Sequence, residues 1–301
     1  MGVLDGKVAV VTGGAGLLGT EYSRLLAKYG AKVLINDTNP DAADKLVKEI
    51  TKAGGTASAF IGGVESWEKA GRIIDACVQK YGRIDCLVNS AHKTAAKPIW
   101  ELSEEELDVS LNIHLKGHFA CAHHASKHMV KQKSGSIVTV SSRALTGHPG
   151  LSPYAAVKGG IVSATFSWAL ELAAHGVRVN CINPAAVRPK EGEPEVKHMQ
   201  WHWDFRLDRM SWYAPVPGPK SVAPLIVYLV SDASKWVTGQ VIFLSGDTLA
   251  IMRHPKEEKF AFMPNGWSFE DIERYFKETI GATLEKPGMG AGQYAWYEGV
   301  R

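Results

Sequence analysis

The chain has 301 residues, 45% of them apolar and 22% charged, with a formal net charge of +3. These are globular values for a chain able to bury one sizeable core. With so small a charge and no basic run of five or more, no nucleic-acid partner is expected. The longest apolar stretches are strand-length, so no membrane span is expected either. Met1 to Lys7 lead directly into a strand candidate, so no signal peptide is expected. Cys77, Cys86, Cys121 and Cys181 form no C-x-x-C pair. They read as small buried hydrophobes in a reducing cytoplasm, the expected location.

The first element, Lys7 to Thr12, is a β-branched apolar run suited to a buried parallel strand. Gly13-Gly14-Ala15-Gly16-Leu17-Leu18-Gly19 follows at once, and then a helical pattern over 20–29. Glycines between a strand and a helix allow a tight turn and close approach to a pyrophosphate, and the helix start offers free N–H groups and a positive dipole end. Gly14-x-Gly16-x-x-Gly19 therefore fits a dinucleotide-binding turn in its required strand–turn–helix context. The second strand candidate, 32–36, ends in Asp37, 18 residues after Gly19. A carboxylate there accepts hydrogen bonds from an adenosine ribose and repels a 2′-phosphate. Since Thr38-Asn39-Pro40 follows, with no Arg or Lys, NAD(H) is expected over NADP(H). The plainer reading of Asp37 is a turn or helix cap.

Further strand candidates are 57–61, 84–89, 136–140, 177–183 and 241–244. Helix candidates lie near 40–53, 66–80, 103–132, 153–175 and 221–231. Gly30, Gly54, Gly82 and Gly176 sit where helices should stop. This alternation predicts an α/β fold, a doubly wound parallel sheet with its ligand at the carboxyl ends of the strands. The glycine turn, Asp37, Asn89 and Ser142 all fall at such ends. Two stretches break the rhythm. Residues 188–220 hold five prolines and three tryptophans, as expected of a substrate lid or binding loop. Its Trp201, Trp203, Phe205, Trp212 and Tyr213 suit either an apolar substrate pocket or an anchor onto the core. Residues 248–301 form a C-terminal extension with one capped helix candidate, 269–279, and Tyr294, Trp296 and Tyr297 near its end. The expected organisation is a catalytic domain over 1–247 with this extension packed on it or on a neighbouring subunit.

Tyr154 and Lys158 are spaced i and i+4, with Ser142 twelve residues upstream of the tyrosine. On a helix, that spacing sets the ammonium beside the phenol. A nearby positive charge lowers a phenol's pKa, making it able to exchange a proton with an alcohol or carbonyl. A serine hydroxyl aimed at the same oxygen stabilises developing negative charge.

With these residues in place, the chain resembles the short-chain dehydrogenase/reductase family over about residues 5–247, a Rossmann fold. Val179-Asn180 with Pro184, and Val237-Thr238-Gly239-Gln240, resemble further family segments. The resemblance implies that Tyr154 is the acid/base, that Lys158 lowers its pKa and holds the nicotinamide ribose, and that Ser142 binds the reacting oxygen. Ser142 stands one residue nearer Tyr154 than is usual, which makes Ser141 the alternative. The implied cofactor contacts are Gly13, Gly14, Gly16, Leu17, Leu18, Gly19, Asp37, Val64, Asn89, Ala91, Tyr154, Lys158, Pro184 and Val187, with NAD as the cofactor and no metal. A homodimer or homotetramer is implied as well.

Several positions depart from the family pattern. His92 stands in Asn89-Ser-Ala-His92 where glycine is usual, and Gly63 replaces an aspartate. His114, in Ile113-His-Leu-Lys-Gly117, aligns with the family's catalytic asparagine and is a fourth catalytic candidate. The His-Leu-x-Gly pattern resembles dehydrogenase units of peroxisomal multifunctional β-oxidation enzymes. His118, His123, His124 and His128 lack accompanying ligands and read as packing or surface residues. The expected activity is NAD(H)-dependent interconversion of a secondary alcohol and a ketone on a moderately bulky, apolar or aromatic substrate. A 3-hydroxyacyl-CoA dehydrogenase and a catalytically silent NAD-binding regulator or scaffold are the alternatives.

Overall fold

The computed structural model describes residues 2–93, 96–186, 218–246, 248–255, 261–264, 266–276 and 278–279. Val187, residues 188–217 of the expected lid, and the aromatic end of the extension lie outside the described residues. Eight strands form one sheet in the order β3-β2-β1-β4-β5-β6-β7-β8. They are β1 (Val8–Thr12), β2 (Lys32–Asp37), β3 (Thr56–Ile61), β4 (Cys86–Asn89), β5 (Gly135–Val140), β6 (Val177–Pro184), β7 (Val241–Ser245) and β8 (Thr248–Met252). Seven run parallel, and β8 pairs antiparallel with β7. The chain order reverses direction at β1, between β2 and β4, and ligands of such sheets bind beyond the strand ends at that point.

β1 and β4 are buried along their whole length. This is why their residues read as continuous apolar runs rather than alternating ones. One face of the sheet is covered by α1 (Leu17–Lys28), α2 (Pro40–Lys52) and α7 (Ala223–Val230), packed around Tyr22, Leu26, Leu46 and Ile226. The other is covered by α3 (Trp67–Tyr81) and α5 (Gly117–Gln132), with Ile73, Ile74, Cys77, Cys121 and Met129 in its core. α6 (Ser152–Ala173) lies beside α5 over β5 and β6.

Local chemistry sets the helix boundaries. Asn39 Oδ1 accepts from Ala42 N at 3.1 Å with Pro40 in the first turn, so Asn39 rather than Asp37 caps α2. Gly82 closes α3 at φ 81°, in the left-handed region that glycine enters without penalty.

Two elements differ from the sequence reading. The single helix expected over 103–132 is three pieces: α4 (Glu104–Ser110), a π-helical turn Leu111–Lys116, and α5. Spacing cannot reveal this, because a π turn inserts one residue into a continuing helix without a breaker residue. The sheet also continues past residue 247, since β8 adds an edge strand to β7 from what the sequence reading places in the C-terminal extension. Leu249 and Ile251 of β8 are exposed, so the strand shows no apolar-in, polar-out alternation. α8 (Phe269–Tyr275) carries the expected capping box between Ser268 and Asp271. Among the described residues no helix is long and apolar enough to cross a membrane.

Candidate active site

A cleft of about 1230 Å³ opens across the carboxyl ends of β1, β2, β4, β5 and β6. One end is built by the glycine turn. Gly13 has φ 61°, and a Cβ there would lie 2.9 Å from Ala91 Cα. A Cβ on Gly19 would lie 2.0 Å from Gly13 O. Neither position admits a side chain, so the turn stays flat against β4 and the start of α1. Gly16 precedes α1 with no side-chain cap, and no acid occupies the first turn. The positive end of the helix therefore faces the cleft, as an anion-binding site requires. Asp37 borders the same end, with Oδ2 accepting from Ala15 N at 3.0 Å and Oδ1 from Asn39 N at 3.0 Å. These bonds fix the carboxylate while leaving lone pairs for ribose hydroxyls. The residues fit a dinucleotide: an amide-lined turn for the pyrophosphate, then an acid for the ribose.

Thr12, at the end of β1, was not singled out as a site residue, yet it ties the two central strand ends together. Its Oγ1 accepts from Ser90 N at 3.0 Å and Ala91 N at 3.2 Å. Asn89 and Gly14 do not reach the cleft wall. Asn89 is buried and its amide donates to His118 O at 3.1 Å, joining β4 to α5. Gly14 packs near Ser23, whose hydroxyl donates to Gly14 O. Gly13, Gly16, Leu17, Leu18, Gly19, Asp37, Val64, Ala91 and Pro184 all line the cleft.

The other end of the cleft holds Ser142, Tyr154 and Lys158. Ser142 follows β5, and its Oγ accepts from Ala144 N at 3.2 Å. A hydrogen bond links it to Tyr154. Ser141 is different: it is buried, and its Oγ donates to Lys158 O at 2.9 Å, so its hydroxyl is occupied in fixing α6. Lys158 Nζ donates to Val140 O at 2.6 Å and lies 5.3 Å from the centre of the Tyr154 ring.

The electrostatics depart from the simple expectation for Tyr154. Burial raises its pKa, and the hydrogen bond with Ser142 opposes part of that rise. Lys158 is itself fully buried, which pushes its pKa down to about 7. A lysine near pH 7 is only partly charged at neutrality, so its pull on the phenol is weaker than that of a solvated ammonium.

Three imidazoles adjoin this pair. His92 and His114 each stand 5.4 Å from the Tyr154 ring, centre to centre, and 5.0 Å from each other, all edge-on. His114 is completely buried behind the cleft wall, carried inward by the π turn. Its Nε2 is 3.0 Å from Lys93 O, and its Nδ1 has no partner. Burial and the nearby Lys158 push its pKa far down, so the ring is neutral. The same causes push His118, one turn later, down to about 3. His92 lines the cleft and is exposed toward it, yet protein walls and Lys158 push it down to about 4. Ile113, Arg143, His148 and Leu151 complete this end. Sequence reasoning passed over these residues because no spacing links them to the motif. Among the described residues no three His, Cys, Asp or Glu side chains are grouped to hold a metal. His123 and His124 stack instead around Trp67.

The family model for short chain dehydrogenases matches residues 7–200. A 3-oxoacyl-acyl-carrier-protein reductase of Thermotoga maritima is 37% identical over 246 residues, covering 81% of this chain and 98% of that protein. A hydroxy(phenyl)methylsuccinyl-CoA dehydrogenase subunit of Thauera aromatica is 33% identical over 244 residues, covering 81% and 96%. A crystal structure of a short chain dehydrogenase from Mycobacterium avium superposes with a TM-score of 0.81 at 31% identity, covering 95% of this chain and 98% of that one. The parallel sheet, the dinucleotide turn and these likenesses together establish that the chain belongs to the short-chain dehydrogenase family, oxidoreductases that use a nicotinamide cofactor.

Proposed function

We propose that this chain is an NAD(H)-dependent dehydrogenase that interconverts a secondary alcohol and a ketone. Its substrate is moderately bulky and apolar or aromatic. The observation that carries the reading is the cleft-facing hydrogen bond between Ser142 and Tyr154 with Lys158 buried beneath them. In the alcohol direction Ser142 holds the substrate oxygen, and Tyr154 takes the hydroxyl proton as the carbonyl forms. The bound nicotinamide supplies the hydride acceptor. Lys158 holds the Tyr154 side of α6 in place and favours the phenolate whenever it is protonated. Ala144, Ile113 and Leu151 give the substrate end an apolar lining. The choice of NAD(H) rests on Asp37, whose fixed carboxylate repels a 2′-phosphate. Assembly as a dimer or tetramer is supported by Leu107, Leu111, Phe119 and Leu170, large apolar side chains exposed on α4, the π turn, α5 and α6.

A second reading is 3-hydroxyacyl thioester dehydrogenation. It is favoured by the two relatives named for acyl groups on acyl carrier protein and CoA. The test is NAD⁺ and NADP⁺ reduction at 340 nm across aromatic, alicyclic and steroidal secondary alcohols and 3-hydroxyacyl-CoA esters. Turnover of the free alcohols that vanishes in Tyr154→Phe supports the first reading, and turnover of thioesters alone supports the second. Tight NADH binding without turnover on any substrate would overturn both.

A further inference from the structure

The loop after β3 walls the cleft beyond Asp37. β3 runs parallel to β2 with Ile61 opposite Asp37. Gly62 N then donates to Asp37 O at 3.0 Å, and Asn36 Nδ2 donates to Gly62 O at 2.7 Å. These bonds hold Gly62, Gly63, Val64 and Glu65 at the cleft wall beside Asp37. In the sheet order this is the side away from β5 and the Tyr154 end. A dinucleotide with its pyrophosphate on the glycine turn and its ribose on Asp37 carries its base beyond that ribose, against this loop.

Among the described residues, Asp37 and Glu65 are the two carboxylates that line the cleft. Glu65 precedes Ser66, the cap of α3, and Lys69 in the first turn of that helix reaches back to it. Lys69 Nζ donates to Glu65 Oε1, and the main-chain N–H of Glu65 also bonds its own carboxylate. The side chain is thereby folded back over Gly63. A Cβ on Gly63 would lie 1.9 Å from Glu65 Oε2, so the carboxylate fills the space where a side chain at 63 would begin. Gly63 is outside the left-handed region, so its backbone does not demand glycine; the space above it does.

We propose that Glu65 is the base-reading residue of the cofactor site, selecting adenine by accepting a hydrogen bond from its exocyclic amine, with Gly63 and Lys69 as the residues that position it. The proposal rests on the reading of Asp37 as the ribose acid. An ionised carboxylate only accepts, so it suits a base that presents an amine and opposes one that presents a carbonyl at the same ring carbon. Lys69 holds the Glu65 carboxyl below the usual carboxylate range, which keeps it ionised at neutral pH. An exposed ion pair four residues apart contributes little to stability on its own. The placement of this one at the cleft wall, above a glycine that makes room for it, is what assigns it to a ligand.

The test compares NAD⁺ with nicotinamide hypoxanthine dinucleotide, which differs in carrying a carbonyl in place of the amine. Isothermal titration of the full chain reads both affinities with no substrate and no turnover. The natural chain should prefer NAD⁺ by about ten-fold or more, the scale of one hydrogen bond to a charged group. Glu65→Gln should bring the two affinities close together, because an amide can accept from the amine or donate to the carbonyl. Gly63→Ala should reduce the preference in the same way, since its methyl group displaces only the flexible end of Glu65 and leaves the fold intact. Lys69→Met should reduce it in part. Equal affinities in the natural chain would overturn the proposal. So would a preference that survives Glu65→Gln, and if Asp37→Ala still shifts the NAD⁺ to NADP⁺ ratio, the ribose reading stands without it. A chain that binds neither dinucleotide would overturn both.

Discussion

Ser141 and Ser142 are one position apart, and an extended chain sends successive side chains to opposite sides. Ser141 turns inward to the Lys158 carbonyl, while Ser142 turns to the cleft and Tyr154. Their alanine variants should therefore fail in different ways. Ser142→Ala should lower kcat/KM by roughly 100-fold or more with unchanged stability, the loss of one donor to the reacting oxygen. Ser141→Ala should leave the chemistry nearly intact and destabilise the fold by about 1–2 kcal/mol, since Lys158 O loses a buried partner. Steady-state kinetics and urea unfolding of both variants separate the two duties. Inactive Ser141→Ala beside active Ser142→Ala would reverse the assignment. At the other end of the cleft, Asp37→Ala should weaken NAD⁺ at least ten-fold and narrow its advantage over NADP⁺. Because Asp37 also accepts from Ala15 N, some of that loss should appear as a looser glycine turn. Isothermal titration with both dinucleotides checks the prediction, and an unchanged ratio would remove Asp37 as the discriminating group.

Among the elements, the π turn Leu111–Lys116 has the largest local consequence. It rotates His114 inward between α4 and α5, so that an imidazole reaches the back of Tyr154. The start of α5 then runs close under the loop after β3, where a Cβ on Gly117 would lie 2.7 Å from Val64 Cγ2. Val64 lines the cleft, so Gly117→Ala should disturb binding as well as packing. We expect a loss of about 1–3 kcal/mol in stability and a several-fold weaker dinucleotide Kd. Unfolding midpoints and NADH fluorescence titration give both numbers, and a neutral result would mean that the Val64 loop yields freely. Sequence periodicity finds α1, α2 and α3 because their apolar spacing and the Gly30, Gly54 and Gly82 that follow them are local signals. It finds neither the π turn nor β8. Each depends on partners elsewhere in the chain: Lys93 for His114, and β7 for a strand with exposed apolar residues.

Across the whole molecule, buried ionisable groups tie stability to pH. His118 is fully enclosed and pushed down to about 3 from an ordinary value of 6.5. The unfolded chain therefore binds more protons than the folded one between those values, and stability falls as pH drops from 6.5 toward 3. His114 acts in the same direction. Going from pH 7 to pH 5 should cost on the order of 2 kcal/mol per such histidine. Lys158, pushed down to about 7 from 10.5, works at the other end. Between pH 7 and 10.5 the unfolded state again holds the extra proton, so stability rises with pH across that window. Urea unfolding at pH 5, 7 and 9 should show both slopes. His118→Gln should flatten the acid limb and Lys158→Met the alkaline one. A flat profile in the natural chain would mean that these groups reach water in the folded state.

The sequence by itself determined the fold class, and it picked out the glycine turn, Asp37, Ser142, Tyr154 and Lys158, which the structure gathers around one cleft. These are short-range features: the glycines must sit between one strand and one helix, and Tyr154 and Lys158 share a face of one helix at i and i+4. Only the tertiary structure decided which of two adjacent serines bonds the tyrosine and which is committed to the main chain of α6, that the lysine beside the phenol is a buried base near pH 7, and that two histidines close around the tyrosine. The physical reason is desolvation and proximity between distant segments. His92 follows β4, His114 lies on the π turn, and Tyr154 and Lys158 belong to α6, so their chemistry is set by packing that no local spacing encodes.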